Sequence, residues 1–148
     1  MTLRLWFGLI GIFLAVASIA KAQSVEKELK KMQGSWKVVL SQVDSKTMPI
    51  EAFKKVIVVI KDEKISFKDN NKTYEEVEFD IDPAAKPKEI DYKYVFGLKK
   101  GVRERGIYQW EGEQLTICMA QAMQMRPDEF VSKKGAGLQL LKLKRVNP

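Results

Sequence analysis

Hydrophobic residues occupy every second position along most of the chain after residue 33. In the segment 34–43, for example, Trp36, Val38 and Leu40 fall on one side of an extended backbone. A period of two is typical of a β-strand with one buried face. The same alternation, or a short β-branched run, recurs further along the chain. The pattern predicts eight strands, over residues 34–43, 56–61, 64–68, 73–81, 88–94, 106–110, 114–120 and 138–146.

Short polar turns separate several of these predicted strands. Asp62-Glu63, Asp69-Asn70-Asn71 and Glu111-Gly112-Glu113 are too short to hold a crossover helix. Such turns join antiparallel neighbours, whereas parallel neighbours need a connection of a dozen or more residues. The sequence therefore predicts an all-β fold, either a sandwich or a closed antiparallel barrel.

One short helix is predicted ahead of the first strand. Val25, Leu29 and Met32 recur at spacings of four and three, which is the helical period. Ser24 is suited to cap the first turn, because its hydroxyl can accept a hydrogen bond from a free backbone N–H. The helix is therefore predicted over residues 24–33.

The first 22 residues have the features of a secretory signal peptide. Arg4 makes the start positive, residues 5–20 carry no charge, and Ala20-Lys21-Ala22 fits the small-x-small rule for cleavage. The uncharged run is shorter than the ~20 apolar residues of a spanning helix. We expect cleavage after Ala22, a secreted or periplasmic domain over residues 23–148, and no membrane span after cleavage. The alternative is an uncleaved N-terminal anchor.

Composition and charge exclude several kinds of active site and of partner. The chain has no histidine and one cysteine, so it forms no Ser-His-Asp triad, no His-ligated zinc and no intramolecular disulfide. No catalytic motif is present, and we predict no enzyme, no cofactor and no metal site. The 26 basic against 19 acidic side chains suit a lysine-rich surface or contact with acidic head groups. Without an RNA- or DNA-binding motif, nucleic acid is not an expected partner.

A short motif at the start of the predicted domain is matched by a basic residue near its end. Gly34-Ser35-Trp36 at the start of the first strand resembles the Gly-x-Trp opening of lipocalins. The resemblance implies that the tryptophan closes one end of an eight-stranded barrel and that a basic residue of the last strand covers its ring. Arg145 follows Leu141 and Leu143 on one face of the last strand. Arg145 is therefore predicted to lie over Trp36 as a structural pair.

A wider resemblance covers residues 32–145. It rests on five segments in a set order, QGSWKVV (33–39), KPKEID (86–91), GIY (106–108), LTIC (115–118) and RPDEF (126–130). Together they resemble the uncharacterised lipocalin-like domain family that is abundant in planctomycete genomes. The resemblance implies an exported eight-stranded antiparallel barrel, and it implies no reaction.

The apolar face of each strand supplies the candidate ligand-binding residues. The residues predicted to line the lumen are Val38, Leu40, Val58, Phe67, Phe79, Tyr92, Tyr108, Trp110 and Leu141. Tyr92, Tyr108 and Trp110 carry the polar atoms of this set, so we expect them to orient a ligand by hydrogen bonds. An eight-stranded barrel is either filled by side chains or holds one small ligand. The sequence thus favours a binding module for a small apolar or amphipathic molecule. The alternative is a filled barrel whose loops contact a protein or the cell envelope.

Three further features are considered for a structural role and for a role in binding a ligand or a metal. Arg126 and Glu129 are predicted to form a structural ion pair before the last strand, while a ligand carboxylate at Arg126 is the alternative. Cys118 is predicted to be a small buried residue. The sulfur atoms of Cys118, Met119, Met123 and Met125 are soft ligands that suit Cu(I), which makes a copper loop the less favoured interpretation.

Overall fold

The computed structural model describes residues 7–146, with side chains from residue 15 onward. Helix α1 (Phe7–Met32) precedes the strands, and one turn of 3-10 helix (Ile50–Phe53) follows the second strand. The strands are β1 (Gly34–Val43), β2 (Lys46–Thr47), β3 (Val56–Lys61), β4 (Lys64–Asp69), β5 (Lys72–Asp82), β6 (Lys88–Phe96), β7 (Arg103–Glu111), β8 (Gln114–Ala120) and β9 (Leu138–Arg145).

The sheet closes on itself to form a barrel. From β3 to β9 each strand pairs with its neighbour in the chain, and all pairings are antiparallel. The barrel closes because β1 pairs with β3 on one side and with β9 on the other. β2 only extends the far end of β1 as a two-residue hairpin. The predicted all-β, eight-stranded, lipocalin-like barrel is confirmed.

The barrel has two different ends. α1 and the hairpins at residues 62–63, 83–87 and 112–113 lie at one end, which we call the closed end. The connections at residues 44–55, 70–71, 97–102 and 121–137 lie at the other, which we call the open end. The loop 121–137 also folds back over the outside of the barrel, where Phe130 packs on Ile107, Cys118 and Leu140.

A β-bulge in β1 moves one predicted lumen residue to the outside. Val38 pairs with Leu143 and Leu40 pairs with Lys142, so an extra residue stands between them in β1. Such an insertion reverses the side-chain alternation beyond it. Leu40 packs against Ile107, Cys118 and Leu140 on the outside of the barrel, which we call the outer cluster. Ser41, opposite Leu141, is buried in its place. The prediction that Leu40 lines the lumen is wrong for this reason.

The helix ends one residue before its predicted end and begins much earlier than predicted. α1 ends at Met32, but it extends back through Ser24 to Phe7, so Ser24 caps no helix. Residues 7–23 are rich in alanine, leucine and isoleucine and contain no proline, so nothing in the sequence breaks the helix there. Residues 1–6 of the predicted signal peptide lie outside the described residues. Within the described chain, α1 falls short of the apolar length that a membrane span requires.

Candidate functional site

The half of the barrel next to α1 is filled by side chains. Met32, Trp36, Leu115 and Leu143 are fully buried there, and the ring centroids of Trp36 and Trp110 lie 6.0 Å apart. Val58 and Phe79, both predicted to line the lumen, belong to the same buried core. Since these contacts occupy the interior, this half of the barrel forms its packed core.

The predicted pair of Trp36 and Arg145 is confirmed at this end. The Arg145 guanidinium lies 4.2 Å from the centroid of the Trp36 ring, and the two residues are opposite each other in the β1–β9 pairing. Trp36 Nε1 donates to the backbone oxygen of Met32 at 3.0 Å. Arg145 donates to the backbone oxygens of Lys31 and Gln33. Both side chains therefore attach the end of α1 to the barrel.

Glu28 of α1 is the polar centre of the closed end. Its carboxylate accepts hydrogen bonds from Lys88 Nζ at 2.8 Å, Trp110 Nε1 at 3.0 Å and Tyr108 Oη at 3.2 Å. Burial alone would raise the pKa of Glu28, but these donors outweigh it and lower the pKa below the usual carboxyl value. Tyr108 and Trp110 were expected to orient a ligand. In the structure their polar atoms bond to Glu28 instead.

The helical spacing in the sequence carries a signal for Glu28. Glu28 lies three residues after Val25 and four before Met32, so helical geometry puts it on their side of α1. A carboxylate on the apolar side of a helix needs buried donors. Which donors they are depends on β6 and β7, and no local pattern reveals that.

The half of the barrel next to the open end contains a cavity of about 270 Å³. Four residues of the predicted lumen set, Val38, Phe67, Tyr92 and Leu141, line it. The apolar part of its wall consists of Val38, Phe53, Phe67, Ile117, Met119 and Leu141. The interior is thus divided into a filled half and a hollow half, and the hollow half opens toward the loops.

Polar side chains line the same cavity and lie mainly toward the open end. They are Tyr74, Glu75, Tyr92, Tyr94, Lys99 and Gln139. The rings of Tyr92 and Tyr94 meet edge to face with centroids 6.3 Å apart, and burial raises the pKa of both hydroxyls far above its usual value. An apolar wall with a few polar groups is the usual composition of a small-molecule site.

Glu104 carries a buried charge that is fully paired. Tyr94 Oη donates to it at 2.8 Å and Lys99 Nζ at 3.0 Å, and Lys99 also donates to Tyr94 Oη at 3.3 Å. Only 5% of the Glu104 side chain is exposed, so this pairing is what makes its burial tolerable. The network holds the β6–β7 loop against the barrel.

Glu75 lies in the cavity without such partners. It pairs with Phe67 across β4 and β5, and its carboxylate forms no hydrogen bond or ion pair with another described residue. Burial raises the pKa of Glu75, and the nearby charge of Glu104 raises it further, while Lys99 opposes both effects. Glu75 shares its strand face with Val77 and Phe79, and Glu104 shares its face with Gly106. Strand parity could therefore have found both acids.

The ion pair predicted within residues 126–129 is wrong. Arg126 pairs with Asp91 and Glu89 on the outer face of β6 and donates to the Gly106 backbone oxygen at 2.7 Å. Glu129 pairs instead with Lys133, at 3.1 Å, on the surface. The neighbouring strand offers Arg126 two carboxylates in fixed positions, which local sequence does not reveal. Arg126 fastens the loop 121–137, and these contacts occupy its guanidinium.

The sulfur-containing side chains lie in different places. Cys118 is buried in the outer cluster, where its thiol donates to the Val131 backbone oxygen and burial raises its pKa to about 11. Met119 points into the cavity from the same strand, and Met123 and Met125 are exposed. The prediction of a small buried cysteine is confirmed, and the arrangement does not bring the four sulfur atoms together.

A larger hollow of about 720 Å³ lies on the outer surface of β4, β5 and β6. Charged side chains of both signs line it, and two pairs of them face each other there, Lys64 with Glu76 at 3.5 Å and Lys93 with Glu78 at 3.9 Å. Exposed pairs of this kind are well hydrated and offer little apolar surface to a ligand. The lumen cavity is the better candidate site.

Comparisons of the chain with family models, with curated proteins and with solved structures found no match.

Proposed function

We propose that this protein is an exported lipocalin-like module that binds one small amphipathic molecule in the open half of its barrel. The observation that supports this proposal is the lumen cavity of about 270 Å³, with apolar walls and polar groups toward its opening. This volume lies just below the lower end of the range of ligand pockets, about 300 Å³, so the cavity suits only a small ligand. At about 30 Å³ per water molecule, the cavity has room for roughly nine waters.

Binding in this cavity is tested with a dye whose fluorescence rises in apolar surroundings. We expect saturable 1:1 binding by the native protein. Leu141→Phe adds volume inside the cavity and should weaken binding about tenfold, because overfilling excludes the dye. Leu40→Phe makes the same change on the outer face and is the matched control. Absence of binding by the native protein, or equal loss in both variants, would contradict a lumen site.

Export and family membership are part of the same proposal. The uncharged run, Arg4 and the Ala20-Lys21-Ala22 motif support cleavage after Ala22. The barrel fold and the Gly34-Ser35-Trp36 opening are what a lipocalin-like family member would have. N-terminal sequencing of protein recovered from the periplasm or the medium should find Gln23 first. Protein that retains residues 1–22 would instead be an anchored form.

A second candidate function is docking of the open end on an anionic envelope surface. Leu98 at the tip of the β6–β7 loop is fully exposed, and Ile50 and Tyr74 on neighbouring segments are exposed as well. The lysines on these segments are Lys46, Lys54, Lys55, Lys72, Lys99 and Lys100, against the acids Asp44, Glu51 and Asp69. Exposed apolar tips among lysines suit a surface of anionic lipid head groups.

Co-sedimentation with vesicles tests this candidate. We expect binding to vesicles that contain phosphatidylglycerol and not to vesicles of phosphatidylcholine alone, with loss of binding at high salt. Leu98→Ser and Lys100→Glu should each weaken binding, whereas Lys37→Glu on the outer wall of β1 should change it less. Equal binding to both kinds of vesicle would rule out charge-directed docking.

A further inference from the structure

The lumen cavity combines one unpaired carboxylate with a group of aromatic rings. The charged groups among its lining residues are Glu75 and Lys99, and Lys99 is already paired with Glu104 at 3.0 Å. The Tyr94 hydroxyl, which could have served Glu75, donates to Glu104 as well. Glu75 is therefore the one lining charge that forms no hydrogen bond or ion pair with another described residue.

The rings around Glu75 are placed so that they can stabilise a positive charge. Phe67 and Tyr74 meet with centroids 6.3 Å apart and planes inclined by 44°, and Tyr92 and Tyr94 meet edge to face. All four line the cavity together with Phe53. Lys99 Nζ already lies 4.8 Å from the centre of the Tyr94 ring, so one wall of the cavity holds a cation. Aromatic faces beside a carboxylate are the usual elements of a site for ammonium groups.

We propose that this cavity selects amphipathic cations, with the ammonium group held between Glu75 and the aromatic rings and a short apolar body against Val38, Ile117 and Leu141. The inference rests on the proposed function, since it assigns a ligand class to the same cavity. A ligand carboxylate would face Glu75 in the same small space, and Lys99, the one cation in the lining, already donates to Glu104 and to Tyr94. An ammonium group would supply the hydrogen-bonded ion-pair partner that Glu75 lacks.

The test uses four ligands with the same six-carbon chain: hexyltrimethylammonium, hexylammonium, hexanol and hexanoate. Their affinities are measured by displacement of the apolar dye and by calorimetry. We expect the two ammonium compounds to bind at least about tenfold more tightly than hexanol, and hexanoate to bind most weakly. Hexanoate binding as tightly as the ammonium compounds would overturn the proposal.

Two variants and one control locate the effect. Glu75→Gln keeps the shape of the side chain, so it should reduce the affinity for the ammonium compounds about tenfold and leave that for hexanol unchanged. Tyr74→Leu removes one exposed ring and should weaken hexyltrimethylammonium more than hexanol. Glu78→Gln removes the same charge from the outer face of β5 and should change neither affinity. An ammonium preference that survives in Glu75→Gln would overturn the proposal.

Failure of this inference and failure of the proposed function give different results. If neither the dye nor any of the four ligands binds, the lumen is not a binding site and both proposals fall. If the dye and hexanol bind but the ammonium compounds have no advantage, the binding function stands and the assignment of an ammonium ligand is wrong.

Discussion

The two ends of this barrel each hold a carboxylate that faces the interior, and the two have opposite surroundings. Glu28 at the closed end accepts three side-chain hydrogen bonds, which lower its pKa. Glu75 at the open end has no such donor, and burial raises its pKa. Burial by itself therefore does not decide whether the pKa of a carboxylate is raised or lowered. The number of hydrogen-bond donors around the carboxylate decides it as well. The closed end supplies donors to Glu28 from the chain itself, whereas at the open end the donors of Tyr94 and Lys99 go to Glu104 and not to Glu75.

The aromatic residues of the two ends differ in the same way. At the closed end, cations of the chain cover the rings: Arg145 lies over Trp36, and Lys31 Nζ lies 4.0 Å from the centre of the Trp110 ring. At the open end Lys99 lies over the Tyr94 ring, while Phe67, Tyr74 and Tyr92 face the cavity with no cation of the described chain over their rings. The closed end is therefore complete as a structure, whereas the open end has aromatic surface that remains available.

The largest expected effect is on stability at the closed end. Trp36→Ala removes a fully buried indole and should lower the free energy of unfolding by about 3–5 kcal/mol. Tyr74→Ala at the open end removes an exposed ring and should cost less than about 1 kcal/mol. Urea unfolding followed by circular dichroism measures both. Similar losses in the two variants would remove the distinction between a structural end and an available end.

The hydrogen bonds of Glu28 should account for the next largest effect. Glu28→Ala leaves the Tyr108 hydroxyl and the Trp110 N–H without their acceptor, so we expect a loss of about 1–3 kcal/mol. Glu26→Ala on the same helix breaks only an exposed pair with Lys30 and serves as the control, with no measurable loss expected. The same unfolding experiment compares them. A neutral Glu28→Ala would show that α1 does not hold the closed end.

A smaller effect is expected at Arg145. Its guanidinium covers Trp36 and donates to the end of α1, but the residue is exposed. Arg145→Ala should therefore cost about 0.5–2 kcal/mol, and Lys144→Ala, an exposed neighbour on β9, about 0.5 kcal/mol or less. Thermal unfolding of the two variants, measured side by side, compares their losses of stability. A larger loss for Lys144→Ala would contradict the cation–aromatic contact as the source of the effect.

The smallest effects come from the pH dependence of the two carboxylates. The lowered pKa of Glu28 means that its stabilisation is present above the usual carboxyl pKa of about 4.3 and is lost as the pH falls below it. The raised pKa of Glu75, which faces Lys99 and Glu104, has the opposite sign, so stability falls as the pH rises through and above that value.

Unfolding curves collected across the acidic pH range test whether the two carboxylates change stability in opposite directions. Glu28→Gln should reduce the loss of stability on acidification. Glu75→Gln should remove a small loss on the way to neutral pH and leave the protein slightly more stable there. The same slope in both variants would contradict the assigned directions.

Much of the fold could be predicted because the relevant pattern is local. The β8 strand was predicted with the bounds it has, and β1 and β3 likewise. Each of these segments has its own alternation or apolar run. β7 was predicted from residue 106, but it begins at Arg103, because the charged residues there pair with β6 regardless of their polarity. The bulge in β1 was not foreseen, since an inserted residue leaves no mark in the alternation of hydrophobic positions.

The amino-acid sequence by itself determined the existence of the strands, the face that most of them bury, and the meeting of Trp36 with Arg145. The strands and their buried faces follow from side-chain parity, which depends on residues close together in the chain. The meeting of Trp36 with Arg145 follows from parity together with the resemblance to the lipocalin opening. Only the tertiary structure decided that Glu28 accepts hydrogen bonds from Tyr108 and Trp110. It likewise decided that Lys99 donates to Glu104 and that Glu75 has no hydrogen-bond donor among the described residues. Closure of the barrel brings these groups together from distant strands. The same closure sets how much of the interior is filled, so neither a cavity nor an unpaired charge can be predicted from local pattern.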